Sequence, residues 1–74
     1  MDRFDMLTRF VETARLGSFS AAAALLGVPK SSISQAVTKL EKQLGTRLFN
    51  RSTRSVSLTS DGETFLPQSI AILS

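Results

Sequence analysis

Hydrogen-bonding side chains recur at steps of three and four residues within the segment 30–44: Ser31, Gln35, Thr38 and Lys42. Such steps bring side chains to one side of an α-helix. A solvated helix face usually mixes acids with bases, whereas a face that reads the base edges of DNA needs donors and acceptors and no acid that repels phosphate. The pattern therefore predicts a helix face that contacts a partner, with the composition that reading DNA bases requires.

The other side of this segment is apolar, through Ile33, Val37, Leu40 and Leu44. At 100° per residue these four side chains lie within about 60° of one another, so they form one stripe. The stripe predicts that the helix packs on a hydrophobic core and turns its polar side outward.

A shorter helix is predicted before this segment, over residues 20–26, with a tight turn at Gly27 and Pro29. Ala23, Gly27 and Ile33 stand at the spacing of a helix-turn-helix. In that motif the small alanine lets two helices approach, the glycine takes a left-handed conformation after the first helix, and the β-branched residue packs the second helix against the first. The sequence thus predicts a helix-turn-helix whose second helix carries the polar face.

The start of the shorter helix is a second candidate binding feature. Free backbone N–H groups and the positive end of the helix dipole favour an anion there, and the hydroxyl of Ser20 adds a donor. A phosphate site is one interpretation. The other is that Ser18 and Ser20 only cap the helix.

The net charge of +3 is unevenly distributed. Six basic residues stand against the single acid Glu41 in the segment 30–54, which gives that segment +5 and leaves −2 for the rest of the chain. The six are Lys30, Lys39, Lys42, Arg47, Arg51 and Arg54. A one-sided basic footprint favours a polyanionic partner, although a merely solvated face is the alternative.

Two short strands are predicted beyond Gly45 by the apolar residues Leu48, Phe49, Val56 and Leu58. They flank a basic loop, residues 50–55, in a hairpin that must lean on the helices because two strands alone are marginally stable. Arg51 and Arg54 have no acid beside them in this loop, so they suit a phosphate or a narrow minor groove. A solvated hairpin tip without a partner is the alternative.

A first helix is predicted over residues 2–14, with Asp2 as its N-cap and Gly17 after its end. Together with the short helix it is expected to supply most of the core. The side chains expected inside are Phe4, Leu7, Phe10, Val11, Phe19, Leu25 and Leu26.

A fourth helix is predicted from Thr59 or Ser60 onward, with acids in its first turn as the dipole prefers. Pro67 lacks an N–H group, which predicts a kink or a break near it. The apolar residues expected to be exposed near the end of this helix are Ile70, Ile72 and Leu73.

Composition excludes several classes of site. The 74 residues allow one small domain, and the absence of cysteine and histidine excludes disulfides and the commonest metal ligands. No metal or cofactor is expected, and no enzyme activity, because the acids Asp61 and Glu63 already have a helix-capping role. No stretch of about 18 apolar residues occurs, so no membrane partner is expected and a cytoplasmic location follows by default.

The order of these elements resembles the N-terminal winged helix-turn-helix domain of LysR-type transcriptional regulators. The matching segments are FVETARLGSFSAAAALLGV and SSISQAVTKLEKQLGTRLFNRSTRSVSLTSDG, of which LEKQLGTRLFNR and LTSDG are the most specific. The fold class expected is mainly α: a three-helix core, a two-stranded wing and a truncated C-terminal linker helix. Residues 1–58 would form the DNA-binding domain, and residues 59–74 would begin the linker and dimerisation helix.

The resemblance implies sequence-specific binding of double-stranded DNA, at a pseudo-palindromic operator. The helix over 30–44 would enter the major groove, the wing over 50–55 would lie on the backbone or in the minor groove, and the fourth helix would pair two protomers. Because that helix is cut short here, we expect the homodimer to be weak. The resemblance also implies that a small-molecule effector binds only in a C-terminal domain that this chain lacks.

Site residues can be carried over position by position. The groove-facing positions of the family match Lys30, Ser31, Ser34 and Gln35, and the wing positions match Arg51 and Arg54. The helical wheel adds Thr38 and Lys42, which are better placed for phosphate. Gln35 stands where the family often has arginine, so an adenine contact is more plausible there than a guanine contact. The alternative function is a protein-interaction module on a helix-turn-helix scaffold.

Overall fold

The computed structural model describes residues 2–51 and 56–74. In these ranges the chain forms four helices and one antiparallel pair of strands. In chain order the elements are α1 (Arg3–Leu16), α2 (Phe19–Leu26), α3 (Lys30–Leu44), β1 (Phe49–Asn50), β2 (Ser57–Leu58) and α4 (Ser60–Leu73). This order confirms the predicted mainly α, winged helix-turn-helix architecture.

Short polar side chains begin three of the helices. Asp2, Ser18 and Thr59 each accept a hydrogen bond from the backbone N–H three residues later, at 2.8–3.0 Å. The third helix is preceded instead by Pro29, which has no N–H to satisfy, and the turn before it depends on Gly27 at φ +68°. The helix boundaries are thus fixed by local sequence.

The main core joins α1, α3 and the hairpin. Its buried side chains are Leu7, Phe10, Val37, Leu40, Leu48 and Phe49. Phe10 lies at its centre, with its ring 5.4 Å from that of Phe49 and 5.6 Å from that of Phe65, between centroids. The residues Phe65, Leu66 and Leu73 of α4 pack on the same cluster, so α4 closes one side of this core.

A second cluster holds the helix-turn-helix together. Ala22 and Ala23 of α2 pack on Ile33 of α3, and all three side chains are buried. The small side chains let the two helices approach, as the motif requires. This packing confirms the predicted helix-turn-helix.

The two strands form the predicted antiparallel hairpin, with Phe49 opposite Leu58 and Asn50 opposite Ser57. Leu48 and Phe49 anchor it, since both are buried in the main core. Four residues of the predicted loop, 52–55, lie outside the described residues, and Arg54 is one of them.

Three predicted core residues are exposed instead: Phe4 is 59% exposed, Leu25 55% and Leu44 43%. The buried face of α1 is centred near Phe10, and Phe4 lies about 120° around the helix from it. Leu25 is displaced by a similar angle from the buried face of α2. Leu44 points along the apolar stripe but lies one turn beyond Leu40, at the end of α3.

Of the predicted kink or break at Pro67, the break is wrong, because α4 runs unbroken through this residue; the kink stays a prediction. The proline lacks the N–H that would bond the carbonyl of Glu63, which is an exposed residue. Ile70 and Ile72 are exposed as predicted, at 48% and 52%. Leu73 is not, since it packs on the main core.

Candidate nucleic-acid interface

The polar face of α3, defined as Ser31, Ser34, Gln35, Thr38 and Lys42, points away from the core. Ser31, Gln35 and Lys42 are exposed, and Ser34 and Thr38 are half-buried. A shallow groove of about 240 Å³ runs along this face, lined by Ser34, Gln35, Thr38 and Lys39. The buried side of the helix fixes this orientation, because Ile33 and Val37 have no exposed surface.

Lys39 lies beside the polar face of α3, and sequence reasoning left it out of the candidate site. It is exposed and lines the same groove as Gln35. Its place in the basic segment 30–54 was the signal that could have identified it. The groove therefore offers hydroxyl, amide and ammonium groups together.

A second concave surface lies at the start of α2 and is called the α2 pocket here. Its volume is about 350 Å³, and it is lined by Gly17, Ser18, Phe19, Ser20, Lys30, Arg51 and Val56. It brings together three predicted site residues, Ser20, Lys30 and Arg51, from three separate elements. The hydroxyl of Ser18 is occupied as a cap on the N–H of Ala21 at 3.0 Å, so the capping interpretation holds for Ser18.

Arg51 differs from what its sequence context indicated. Its Nη2 lies 3.2 Å from Oε1 of Glu41, and its guanidinium stands 5.2 Å from the ring centroid of Phe19. The prediction that this arginine has no acid beside it was wrong, because Glu41 lies ten residues earlier in the chain and becomes a neighbour only through the fold. Arg51 is thus held on two sides.

Glu41 ties the hairpin to α3. Its side chain is only 8% exposed, and its Oε2 accepts hydrogen bonds from the backbone N–H groups of Leu48 and Phe49 at 2.8 and 3.4 Å. The Nε of Arg47 lies 3.6 Å from the same oxygen. Glu41, the single acid of the basic segment 30–54, therefore links α3 to β1.

The basic groups of α3 face solvent, whereas an arginine of α1 is paired. Lys30, Lys39 and Lys42 are all exposed. Arg15 contacts Glu12 one turn away, with 2.6 Å between Nη2 and Oε1, and an exposed pair of this kind contributes little stability. Positive potential is thus concentrated along α3.

Other classes of site are not supported by the described residues. Within 2–51 and 56–74, no cluster of three or more histidine, cysteine, aspartate or glutamate side chains could hold a metal ion. In the same part of the chain, each helix is too short or too polar to cross a bilayer.

A family model matches residues 4–63 of the chain, under the description of bacterial regulatory helix-turn-helix proteins of the lysR family. The match covers all four helices in whole or in part, and both strands. The match therefore extends over most of the fold, including the polar face of α3 and the α2 pocket.

Individual relatives agree with this match. The chain is 45% identical over 73 residues to an HTH-type transcriptional repressor of Pseudomonas aeruginosa, covering 99% of the chain and 23% of that protein. Two solved structures are similar over 99% of the chain: the CbnR DNA-binding domain with DNA (37% identity, TM-score 0.92, 83% of that chain) and the BenM DNA-binding domain with benA site 1 DNA (32%, 0.91, 81%). The chain spans about a quarter of the length of the curated relatives it matches.

Proposed function

Since the chain belongs to the LysR family of bacterial helix-turn-helix regulators, we propose that it binds double-stranded DNA sequence-specifically, as the DNA-binding domain of a transcriptional regulator. The observation that carries the proposal is the polar face of α3, which turns five hydrogen-bonding side chains outward and no acid. The solved complexes of the CbnR and BenM DNA-binding domains with DNA support it.

The polar face of α3 enters the major groove, which is wide enough for a helix. Ser31 and Gln35 are exposed near the start and middle of the helix, and they read base edges. The amide of Gln35 can bond N6 and N7 of adenine at once. Ser34 lies beside them and is half-buried. Its hydroxyl comes closer to the DNA as α3 enters the major groove.

Phosphate contacts flank this helix. Ser20 and Lys30 meet in the α2 pocket, where the positive end of the α2 dipole also favours an anion. Thr38 and Lys42 lie further along α3 and contact the backbone on the far side of the groove. The wing, residues 50–55, follows the helix onto the backbone or into the minor groove, mainly through Arg54.

Gln35→Ala is expected to relax the preference at one base position, with a loss of about 1–3 kcal/mol on the preferred duplex. The alanine removes the carbonyl and the NH₂ group of the side-chain amide but leaves the helix intact, because Gln35 is exposed. The preferred duplex comes from a selection out of random DNA. Competition titrations with each base at each position then measure the change.

Lys30→Ala serves as the contrasting variant. It is expected to weaken the preferred and a random duplex by the same factor, and to flatten the plot of log affinity against log salt by about 0.9. Its ammonium group contacts phosphate, which carries no sequence information. Equal losses on both duplexes from Gln35→Ala as well would remove the base-reading role from that residue.

The homodimer is proposed to form through α4, with Ile70 and Ile72 as its exposed apolar contacts. A helix of 14 residues is only about 21 Å long, and two isoleucines per protomer cover far less than the roughly 800 Å² per partner of a stable interface. We therefore expect weak self-association. Sedimentation at micromolar concentration should give mainly monomer in rapid exchange with dimer. A stable dimer would contradict this expectation.

The remaining parts of the proposal concern the whole regulator. A bacterial protein that binds chromosomal DNA acts in the cytoplasm, and its small-molecule effector would be sensed by a domain other than this one. The grooves around Ser20 and Gln35 are open and carry polar and basic side chains, which suit a polyanion better than a small apolar effector.

A further inference from the structure

Glu41 is an unusual residue to find in a DNA-binding surface. It is the single acid of the segment 30–54, and its side chain is 8% exposed although it neighbours the basic groups. Both carboxylate oxygens are occupied: Oε2 accepts from the N–H of Leu48 at 2.8 Å, and Oε1 pairs with Nη2 of Arg51 at 3.2 Å. A buried carboxylate with this many partners holds them in a fixed arrangement.

Arg51, the second of these partners, is the one whose position matters for DNA binding. Arg51 lines the α2 pocket beside Lys30, and it also lines a groove of about 510 Å³ at the end of α3, beside Lys42. Its guanidinium therefore stands between the two surfaces proposed to contact phosphate. The pair with Glu41 and the ring of Phe19, 5.2 Å away, restrain it there.

A free arginine at this place would bind phosphate on any duplex. Phosphate contacts strengthen binding to random and preferred sequences alike, so they raise affinity without raising the ratio between the two. An acid that occupies the arginine therefore lowers the affinity for every duplex by the same factor.

We propose that Glu41 is a positioning residue that limits the sequence-independent part of DNA affinity: it holds Arg51 against α3 and Phe19, and thereby prevents that arginine from binding phosphate. The inference rests on the proposed DNA binding. The affinity for any duplex is then set partly by a residue that itself makes no contact with DNA.

Glu41→Gln separates two interactions of this side chain, the hydrogen bond from the N–H of Leu48 and the ion pair with Arg51. The amide oxygen of glutamine can still accept from the N–H of Leu48, whereas its NH₂ group faces the guanidinium donors of Arg51 and releases them. We expect affinity for a random duplex of about 25 base pairs to rise about fivefold, the effect of one added ion pair. The salt plot should steepen by about 0.9, and the ratio of preferred to random affinity should stay unchanged, because phosphate carries no sequence information.

Glu12→Gln is the matched control. It removes the same charge from an ion pair with an arginine, Arg15, on α1. Because α1 is scaffold, this variant should leave the salt slope and the affinity for either duplex unchanged.

Two further variants test whether the effect of Glu41→Gln on the salt slope depends on Arg51. Arg51→Gln added to Glu41→Gln should return the salt slope to that of the unchanged chain, because the released cation is gone. Arg51→Gln alone should leave the slope unchanged, since the arginine is already occupied. This last result does not depend on the folding of the Glu41 variant, which circular dichroism checks separately.

Three outcomes would overturn the inference while leaving DNA binding intact. The first is an equal loss on both duplexes from Glu41→Gln with no change of slope, which is a purely structural role. The second is a slope that flattens by a full 0.9 in Arg51→Gln alone, and the third is an equal change in the Glu12→Gln control. If the unchanged chain shows no salt-dependent duplex affinity, the proposed function itself fails.

Discussion

Phe10→Ala is expected to lower the free energy of unfolding by about 3–5 kcal/mol. The ring of Phe10 has no exposed surface and lies within 6 Å, centroid to centroid, of the rings of both Phe49 and Phe65. Its removal leaves a cavity where α1, the hairpin and α4 meet. A chain of 74 residues has roughly 4–11 kcal/mol of stability in total, so the loss is a large share.

Phe4→Ala is the matched control, because it makes the same change on the same helix. Phe4 is 59% exposed, so the expected cost is below about 1 kcal/mol. Urea unfolding followed by circular dichroism at 222 nm, a standard helix signal, measures both variants. Similar free energies of unfolding for the two would contradict the position of the core described here.

Gly62→Ala is expected to cost about 3 kcal/mol, although alanine is the better helix former. A Cβ atom at residue 62 would overlap the backbone carbonyl oxygen of Leu48 and lie 2.9 Å from Cδ2 of Leu58. That carbonyl cannot move away, because it accepts the N–H of Thr59 at 2.9 Å. The start of α4 would therefore separate from the segment before β1.

Thr64→Ala controls for the change of helix propensity in the same turn. Thr64 is exposed, and its hydroxyl donates only to the carbonyl of Ser60 at 3.2 Å, so its loss should be within about 0.5 kcal/mol of zero. Thermal unfolding of both variants decides the matter. A Gly62→Ala protein as stable as the unchanged chain would show that α4 does not press on the carbonyl of Leu48.

Local chemistry made much of the fold predictable. Asp2, Ser18 and Gly27 mark helix boundaries through interactions with residues at most five positions away, and such interactions are visible in sequence. The stripe at Ile33 and Val37 gave the buried side of α3 by its period alone. The exposed polar face followed from it, and with it most of the candidate site.

The parts that sequence missed depend on contacts between distant segments. The pairing of Glu41 with Arg51 exists because β1 turns back along α3, and no period in the sequence encodes this. Phe4 and Leu25 are apolar and helical, yet the packing angle of each helix leaves them in solvent. The α2 pocket likewise appears only once α2, α3 and the hairpin are assembled.

The most direct test of the account is the affinity of the chain for duplex DNA as a function of salt, measured by fluorescence anisotropy between about 50 and 200 mM. The account predicts a linear fall of log affinity with log salt, together with a preference for selected over random sequence that persists across the range. A protein-interaction module would show neither. The absence of salt-dependent affinity for every duplex tried, even with two copies of the chain tethered together, would contradict the account.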